Sequence, residues 1–514
     1  MRRTPLPPGG GRNVAGLPPP PTAGRRPPLP VLPALLLFAA TACGGAATRS
    51  GDGEVRDDAV TPGDADEAFD DATDGETPPV PAPPLADDEG RAVFYIGVNL
   101  GEETKRPPDF LPDLGDGELE LLEEWGVTLV RFLVLWEAIE PERGVFDEAY
   151  LGTVRAQLDR LAAHGIDAVL DMHQDIFGRG FGFAGAPRWA CDEAHYADFT
   201  PMEPWFMNYF SEDVEACFDA LWSDRTLWDE LRDAWAHAAA ALGAHPAVIG
   251  FDLFNEPFQG SIATTTFERE VLPAFHAHLA AAFTGAAAAK RVFVEPAVTY
   301  DFSPQTRLPP FAAGEGFAPH YYPTFVAAGS YSGRESDVAA DLRDMAGDAA
   351  RLGGPLFLGE FGIANDAGDA AAYLADMIDG TLALGGSMAP WDFSRGGPGG
   401  YGLRDPDGVP YPCAAALRRP YVHRLAGRLV STTYDRATGT LDVTWEETGL
   451  EAPSIFVVPT GPECRLESVS STTDPAGSFT VAAGTHANRL VLDVSAAVPV
   501  HSFRLVRPCA DAAP

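Results

Sequence analysis

The chain is short of several things, and each shortage excludes a class of protein. No two of its six cysteines stand in a CxxC spacing, the arrangement used by zinc ribbons and dithiol redox sites, so thiolate metal binding is not expected. Cations are scarce: 36 Lys and Arg face 74 Asp and Glu, for a formal net charge of −38. That balance argues against nucleic acid and against adhesion to anionic lipid surfaces. After residue 43 no apolar run approaches the roughly 20 residues that a helix needs to cross a bilayer. No repeat of solenoid type recurs along the chain. What is present is a 46% hydrophobic content over 514 residues, enough to bury a sizeable core in more than one ordinary domain.

The amino terminus reads as a targeting segment. Arg2, Arg3, Arg12, Arg25 and Arg26 precede an apolar run from Leu29 to Ala40, then Thr41, Ala42 and Cys43. This resembles a bacterial lipoprotein signal, in which Cys43 is lipidated and becomes the mature N-terminus. Ala40 stands where Leu is usual, and Ala40-Thr41-Ala42 also fits an ordinary signal-peptidase site that would release a soluble protein. Both readings take the chain out of the cytoplasm, to the cell envelope or the medium. In that oxidising setting structural disulfides are expected: Cys191–Cys217 across one long loop and Cys464–Cys509 in the C-terminal region, with Cys413 left over. Residues 44–90 are Gly, Ala, Asp, Glu, Thr and Pro with little to bury; residues 51–90 alone hold 14 Asp or Glu against Arg56. Such a segment is an extended, self-repelling tether.

From residue 91 to 422 short apolar runs alternate with amphipathic stretches. Strands are expected over Val93–Asn99, Thr128–Leu135, Ala168–Met172, Val248–Phe254 and Arg291–Val294, then at Phe317–His320, Pro355–Glu360 and Ser387–Trp391. Helices fall between them over Leu119–Trp125, Asp147–His164, Leu227–Leu242, Phe267–Phe283, Ser336–Leu352 and Asp369–Leu384. Runs apolar throughout are those of parallel strands buried on both faces. Eight alternations fit an α/β fold, a (β/α)8 barrel with one large insertion, Ile176 to Ser223, rich in Gly and aromatics. Residues 423–514 change texture, to short alternating runs separated by Gly, Pro and Asp. They read as a small antiparallel β-sandwich with an accessory role.

In such a barrel chemistry is done at the C-terminal ends of the strands. The run Val248–Phe254 ends in Asn255-Glu256-Pro257, where Pro257 cannot extend a ladder. Pro355–Gly359 closes on Glu360. A lone Glu at a strand end is as often a solvated loop residue; two, in these settings and in this order, are what glycosidic cleavage requires. One carboxyl protonates the leaving oxygen and the other attacks the anomeric carbon or activates water. Arg131, His173, Asp175, His320, Tyr322 and Trp391 lie at or just beyond other strand ends. Singly each reads as a packing residue; together they describe a polar pocket with an aromatic platform.

These motifs resemble glycoside hydrolase family 5, and within it the endoglycoceramidases. The resemblance rests on Gly97-Val98-Asn99 with Lys105, Val130-Arg131-Phe132-Leu133 with Trp136, and Leu170 to Asp175. It extends through Gly185 to Ala190, Phe251 to Phe258, Pro319 to Pro323, Leu358 to Gly362 and Arg419-Pro420-Tyr421. It implies that Glu256 is the acid/base and Glu360 the nucleophile of a retaining hydrolase. Asn255 would bond the sugar 2-hydroxyl, and Arg131 and Tyr322 would hold Glu360. Lys105, His173, Asp175 and His320 would contact sugar, and Trp391 would stack beneath it. No metal or organic cofactor is implied, and the chain is expected to act as a monomer on a glycolipid or oligosaccharide. Ile96 stands where relatives commonly carry His, a difference expected at the rim. Two other readings stay open: a family 5 β-glucosidase or endoglucanase acting on steryl glucosides, glucosylceramide or β-glucans, and a surface protein that binds carbohydrate without cleaving it. The aromatics from Phe177 to Phe210 are expected to meet lipid tails.

If Cys43 is lipidated, the expressed protein partitions into the detergent phase, and Cys43→Ser moves it to the aqueous phase. A wild-type chain that begins at Cys43 without lipid contradicts the anchor.

Overall fold

The computed structural model describes residues 82–459 and 464–508. The segments expected to be a leader and most of the expected tether, together with Cys43 and Cys509, lie outside the described residues. Eight short parallel strands form a closed ring. They are β1 (Gly97–Leu100), β2 (Leu129–Val134), β3 (Asp167–Met172), β4 (Val248–Asp252), β5 (Arg291–Val294), β6 (Glu315–Phe317), β7 (Phe357–Leu358) and β8 (Ser387–Met388). β1 to β6 pair in sequence order, and a bridge from Phe317 to Leu356 carries the ring on to β7. β7 pairs with β8, and a bridge between Ile96 and Met388 closes it. Every residue of β2 is buried, as expected of a strand with helices on one side and barrel interior on the other.

Local chemistry sets the helix ends. The Asp147 side chain accepts the Tyr150 N–H at the start of helix Glu148–Ala163, satisfying one of the open donors of the first turn. Gly126 ends helix Asp116–Trp125 in the left-handed region at φ 78°, its N–H returned to Glu123 O. A side chain there would also meet Pro459 Cγ at 2.5 Å, so the same glycine lets the C-terminal sheet approach the barrel. The single helix expected over Phe267–Phe283 is divided: a wide turn over Phe267–Val271 precedes helix Leu272–Ala280. Pro273 has no N–H to continue a ladder and sits in the first turn of the second piece.

The barrel floor is an apolar layer of Tyr95, Leu129, Val169, Phe293, Ala318, Phe357 and Ala389. Leu85 and Val93 join it, which corrects two boundaries. Strand Leu85–Ala86 falls within the stretch expected to be tether, and strand Ala92–Val93, whose Val93 was expected to begin the first barrel strand, pairs instead with Leu85–Ala86 and with Tyr421–Leu425. Asp87 accepts the Arg91 N–H and guanidinium at 2.9 and 2.8 Å and folds the turn between them. Leu85 thus gains a buried site that its acidic, Pro-rich surroundings did not advertise. Ile96 is likewise wholly buried in the wall, not at the rim.

These N-terminal strands belong to a six-stranded sheet with Tyr421–Leu425, Ser454–Val457, Phe479–Ala483 and Arg489–Val494. A four-stranded sheet of Arg428–Asp435, Thr440–Glu446, Ser468–Ser471 and Val500–Val506 completes the β-sandwich. Phe479 of one sheet meets Phe503 of the other edge-on at 5.0 Å.

The insertion after β3 is ordered by helix Glu212–Ser223 and by a disulfide between Cys191 and Cys217, Cα atoms 5.5 Å apart. Cys413 is a buried free thiol, whose ionisation burial pushes up to about 11. Most of the insertion's aromatics face inward. Phe177, Phe181 and Tyr209 are buried, and Phe183, Trp189 and Phe206 are half-buried. Trp205 and Phe210, at 48% and 45% exposure, are the ones open to solvent. The broad lipid-contacting loop expected from composition is therefore largely a local core. Among the described residues no helix is long and apolar enough to cross a membrane.

Replacing Cys191 and Cys217 together by Ser is expected to lower the unfolding free energy by about 2–4 kcal/mol, the usual effect of opening such a loop. Denaturant melts of the two proteins measure it, and identical midpoints contradict it.

Candidate active site

Above the apolar floor the barrel interior turns polar, and the register explains how. Asn99 on β1 faces Arg131 on β2, and Asp171 on β3 faces Asp252 on β4. Glu295 follows β5. A short parallel pair, His320–Tyr321 with Glu360–Phe361, sets His320 beside Glu360. Gly359 is required here, because a Cβ would lie 2.9 Å from His320 Nε2.

Arg131 is wholly buried and addresses four carboxylates. Nη1 donates to Glu360 Oε1 at 2.6 Å, Nε to Asp252 Oδ2 at 3.0 Å, and Nη2 to Glu295 Oε1 at 2.9 Å. Nη2 also stands 2.9 Å from Asp171 Oδ1 and donates to Asn255 Oδ1 at 2.9 Å. Burial alone would discourage the charge, but these carboxylates hold the guanidinium firmly ionised. Burial, followed by the charge of Glu295, pushes Asp252 well above the usual carboxylate range. Asp171, Asp252 and Glu295 also have the spacing of a metal-binding trio, but Arg131 already stands between them as the cation.

One donor or acceptor atom from each of Glu256, His320 and Glu360 lies within 4.8 Å of the others. Glu360 is held by Arg131 and by the Tyr322 hydroxyl, which donates to Oε2 at 2.9 Å. Burial pushes Glu360 above the ordinary carboxylate value; His320 and Arg131 oppose that, and Glu256 adds to it. Burial and the neighbouring Glu360 keep Tyr322 a phenol. The Glu256 carboxyl is met by His320 Nδ1 at 2.9 Å. Burial disfavours a charge on His320, but Glu295 and Glu360 push the ring well above its ordinary value. Glu256 itself has φ 45°, a left-handed backbone rare outside glycine. Its N–H donates to Glu295 Oε2 at 2.7 Å, and its carbonyl accepts from Gln174 Nε2 at 3.1 Å. The Asn255 side-chain amide donates one hydrogen to Gln174 O at 3.0 Å, leaving its second for a ligand.

A second group lies alongside. Lys105 Nζ is 2.8 Å from Asp175 Oδ2 and 4.2 Å from the centre of the Trp391 ring. His173 stacks on Trp391 at 5.4 Å and shares a hydrogen bond of 2.8 Å with Asp171. Burial and Lys105 oppose a charge on His173, but Asp171 and Asp175 push it up to about 9. Against the cost of burial, Lys105 and His173 draw Asp175 below its usual range.

The structure thus brings together all ten predicted pocket residues, as Arg131–Asn255–Glu256–His320–Tyr322–Glu360 and Lys105–His173–Asp175–Trp391. It adds Asn99, Asp171, Gln174, Asp252 and Glu295, of which the first four stand inside the quoted motifs without having been given a role. A signal existed for two of them: Asp171 and Asp252 are charged residues inside otherwise apolar strand runs.

Three comparisons bear on this geometry. Residues 117–397 match the family described as Cellulase (glycosyl hydrolase family 5). Endoglycoceramidase I of Rhodococcus hoagii is 30% identical over 256 residues, which cover 46% of this chain and 51% of that protein. A glucosylceramidase of Cryptococcus neoformans is 29% identical over 242 residues, covering 35% of this chain and 33% of that protein. The chain therefore spans about half or less of the length of these curated relatives. An endo-glycoceramidase II from Rhodococcus sp., solved with a five-membered iminocyclitol, superposes with a TM-score of 0.73 at 25% identity. That match covers 83% of this chain and 100% of that one.

The His173 network carries a testable pH dependence. A histidine raised from 6.5 to about 9 binds its proton more tightly when folded. Its stabilisation is thus complete below pH 6.5 and is lost as pH rises through about 9. Unfolding free energies should fall more steeply across that window in wild type than in His173→Asn. Parallel curves contradict the assignment.

Proposed function

Because the chain belongs to glycosyl hydrolase family 5, we propose that it is a retaining glycoside hydrolase that cuts between an oligosaccharide and ceramide in glycosphingolipids. The observation that carries the mechanism is the approach of one carboxyl oxygen of Glu256 to within 4.8 Å of one of Glu360. Retaining enzymes keep their carboxyls about 5–5.5 Å apart, whereas inverting ones leave roughly 6.5–9.5 Å for a water molecule. Glu360, clamped by Arg131 and Tyr322, is the nucleophile: its Oε attacks the anomeric carbon as the glycosidic bond breaks. Glu256 gives its proton to the departing oxygen. In the second half Glu256 takes a proton from water, which attacks the glycosyl–Glu360 ester and restores both carboxyls. Asn255 offers its unused amide hydrogen to the sugar 2-hydroxyl. Lys105, His173, Asp175 and Trp391 line the sugar slot.

The similarity to endoglycoceramidases supports the ceramide aglycone, as do Trp205 and Phe210, exposed on the insertion that packs against the strand end bearing Glu256. Each buried CH₂ adds about 0.8 kcal/mol, so a few per tail would suffice for preference. The Arg-rich leader ending at Cys43 supports action outside the cytoplasm. A second reading, a β-glucosidase on glucosylceramide or steryl glucosides, is favoured by the inward packing of most insertion aromatics and by the similarity to a glucosylceramidase.

Two experiments test these points. Purified protein acting on a glycosphingolipid should release the intact glycan in one piece, far faster than it cuts the same free oligosaccharide. Release of glucose alone, or equal rates on cellodextrins, supports the second reading instead. Glu360→Gln should abolish turnover. Glu256→Ala should lose natural substrates, keep the first step on activated aryl glycosides, and yield a β-glycosyl azide when azide is supplied. An α-linked adduct, or unimpaired activity in either variant, contradicts the retaining assignment.

A further inference from the structure

Glu295 is 2% exposed, lies at the end of β5 and makes three contacts, each leading to a group of the proposed mechanism. Oε2 accepts the Glu256 N–H at 2.7 Å. Oε1 accepts from Arg131 Nη2 at 2.9 Å, on the guanidinium whose other arm holds Glu360. The same Oε1 faces His320 Nε2 at 3.4 Å, on the ring whose Nδ1 meets Glu256 Oε1 at 2.9 Å. A salt bridge to Arg131 alone would need only the first oxygen, and Asp171, Asp252 and Glu360 already neutralise that guanidinium. The second oxygen goes instead to a backbone N–H at a non-glycine residue with positive φ, where the strand end must be held against its own preference.

We propose that Glu295 is a positioning residue for the general acid, fixing the Glu256 backbone with one oxygen and setting its negative charge opposite His320 Nε2 with the other. The inference rests on the assignment of Glu256 as acid/base. A ring with hydrogen on both nitrogens can only donate to Glu256 Oε1, which leaves the carboxyl proton on the oxygen that faces the departing group. A neutral ring with hydrogen on Nε2 alone would accept that proton at Nδ1 and withdraw it from the reaction. The negative charge of Glu295 opposite Nε2 favours the doubly protonated ring.

The test is leaving-group dependence. Glu295→Gln keeps the shape but has one acceptor where two are used, so a donor must face a donor at His320, Arg131 or the Glu256 N–H. On aryl β-glycosides of one glycon, wild type should be nearly insensitive to the leaving group. Glu295→Gln should keep kcat/KM for dinitrophenyl glycosides within about threefold and lose about a hundredfold or more on phenyl glycosides, the scale of general-acid assistance. Loss of the same factor on every leaving group, or no loss at all, overturns the proposal. If Glu295→Gln does not fold by thermal melt, Glu295→Asp, which keeps the charge but withdraws it, should show the same selective loss in smaller degree; a uniform loss there overturns the proposal equally. Glu256→Ala run in parallel separates the two claims. Leaving-group selectivity in Glu256→Ala but not in the Glu295 variants sinks this inference alone, whereas its absence in Glu256→Ala sinks the acid/base assignment with it.

Discussion

One buried guanidinium organises the catalytic end of this barrel. Arg131 stands on the second strand with no solvent access and meets Asp171, Asp252, Glu295 and Glu360 from four other elements. Such a cluster is a poor source of net stability, since desolvating the charges costs about as much as pairing them returns. Its value is geometric. Each carboxylate is drawn to a fixed nitrogen, and through Asn99, Asn255 and Glu295 the positions of the reacting groups follow from that one side chain. Removing it would leave several carboxylates buried without a counter-charge, a loss on the order of 3–5 kcal/mol.

The two ends of the barrel divide the work. Below, a wholly apolar layer is sealed by Leu85 and Val93 from the six-stranded sheet, and Tyr95 ties to Asp167 at 2.8 Å. Above, acidic groups outnumber the cations Arg131 and Lys105; burial and that surplus push Asp252 up, and the surplus draws His173 and His320 toward their charged forms. The sandwich is thus more than an appendage: strands that precede the barrel in sequence pair with strands that follow it.

Much of this was legible in the sequence because parallel strands buried on both faces leave apolar runs, and because Pro257 marks where one of them stops. Eight of the ten pocket residues sit at or just beyond the ends of such runs, so reading the runs located them. Arg131 lies within its strand, not at its end, and Lys105, past the end of β1, was found only through the family resemblance. Three features were not legible, each for a physical reason. The convergence of Asp171 and Asp252 on Arg131 depends on inter-strand register, which no single run encodes. Leu85–Ala86 is a strand of two residues inside an acidic, Pro-rich segment, too short to show periodicity. The aromatics of the insertion have one composition whether they line a groove or fill a core, and only packing separates Phe177 and Tyr209, which are buried, from Trp205, which is not.

Everything in this mechanism turns on a covalent bond between Glu360 and sugar. The most direct measurement is a mass spectrum of the enzyme after brief exposure to an activated 2-deoxy-2-fluoro β-glycoside, whose fluorine slows both half-reactions while its good leaving group restores the first. The expected result is an intact protein heavier by one glycosyl group, with the label on the peptide containing Glu360 and slow recovery of activity in water. Label on Glu256, or turnover to an α-configured product with no adduct, would contradict it.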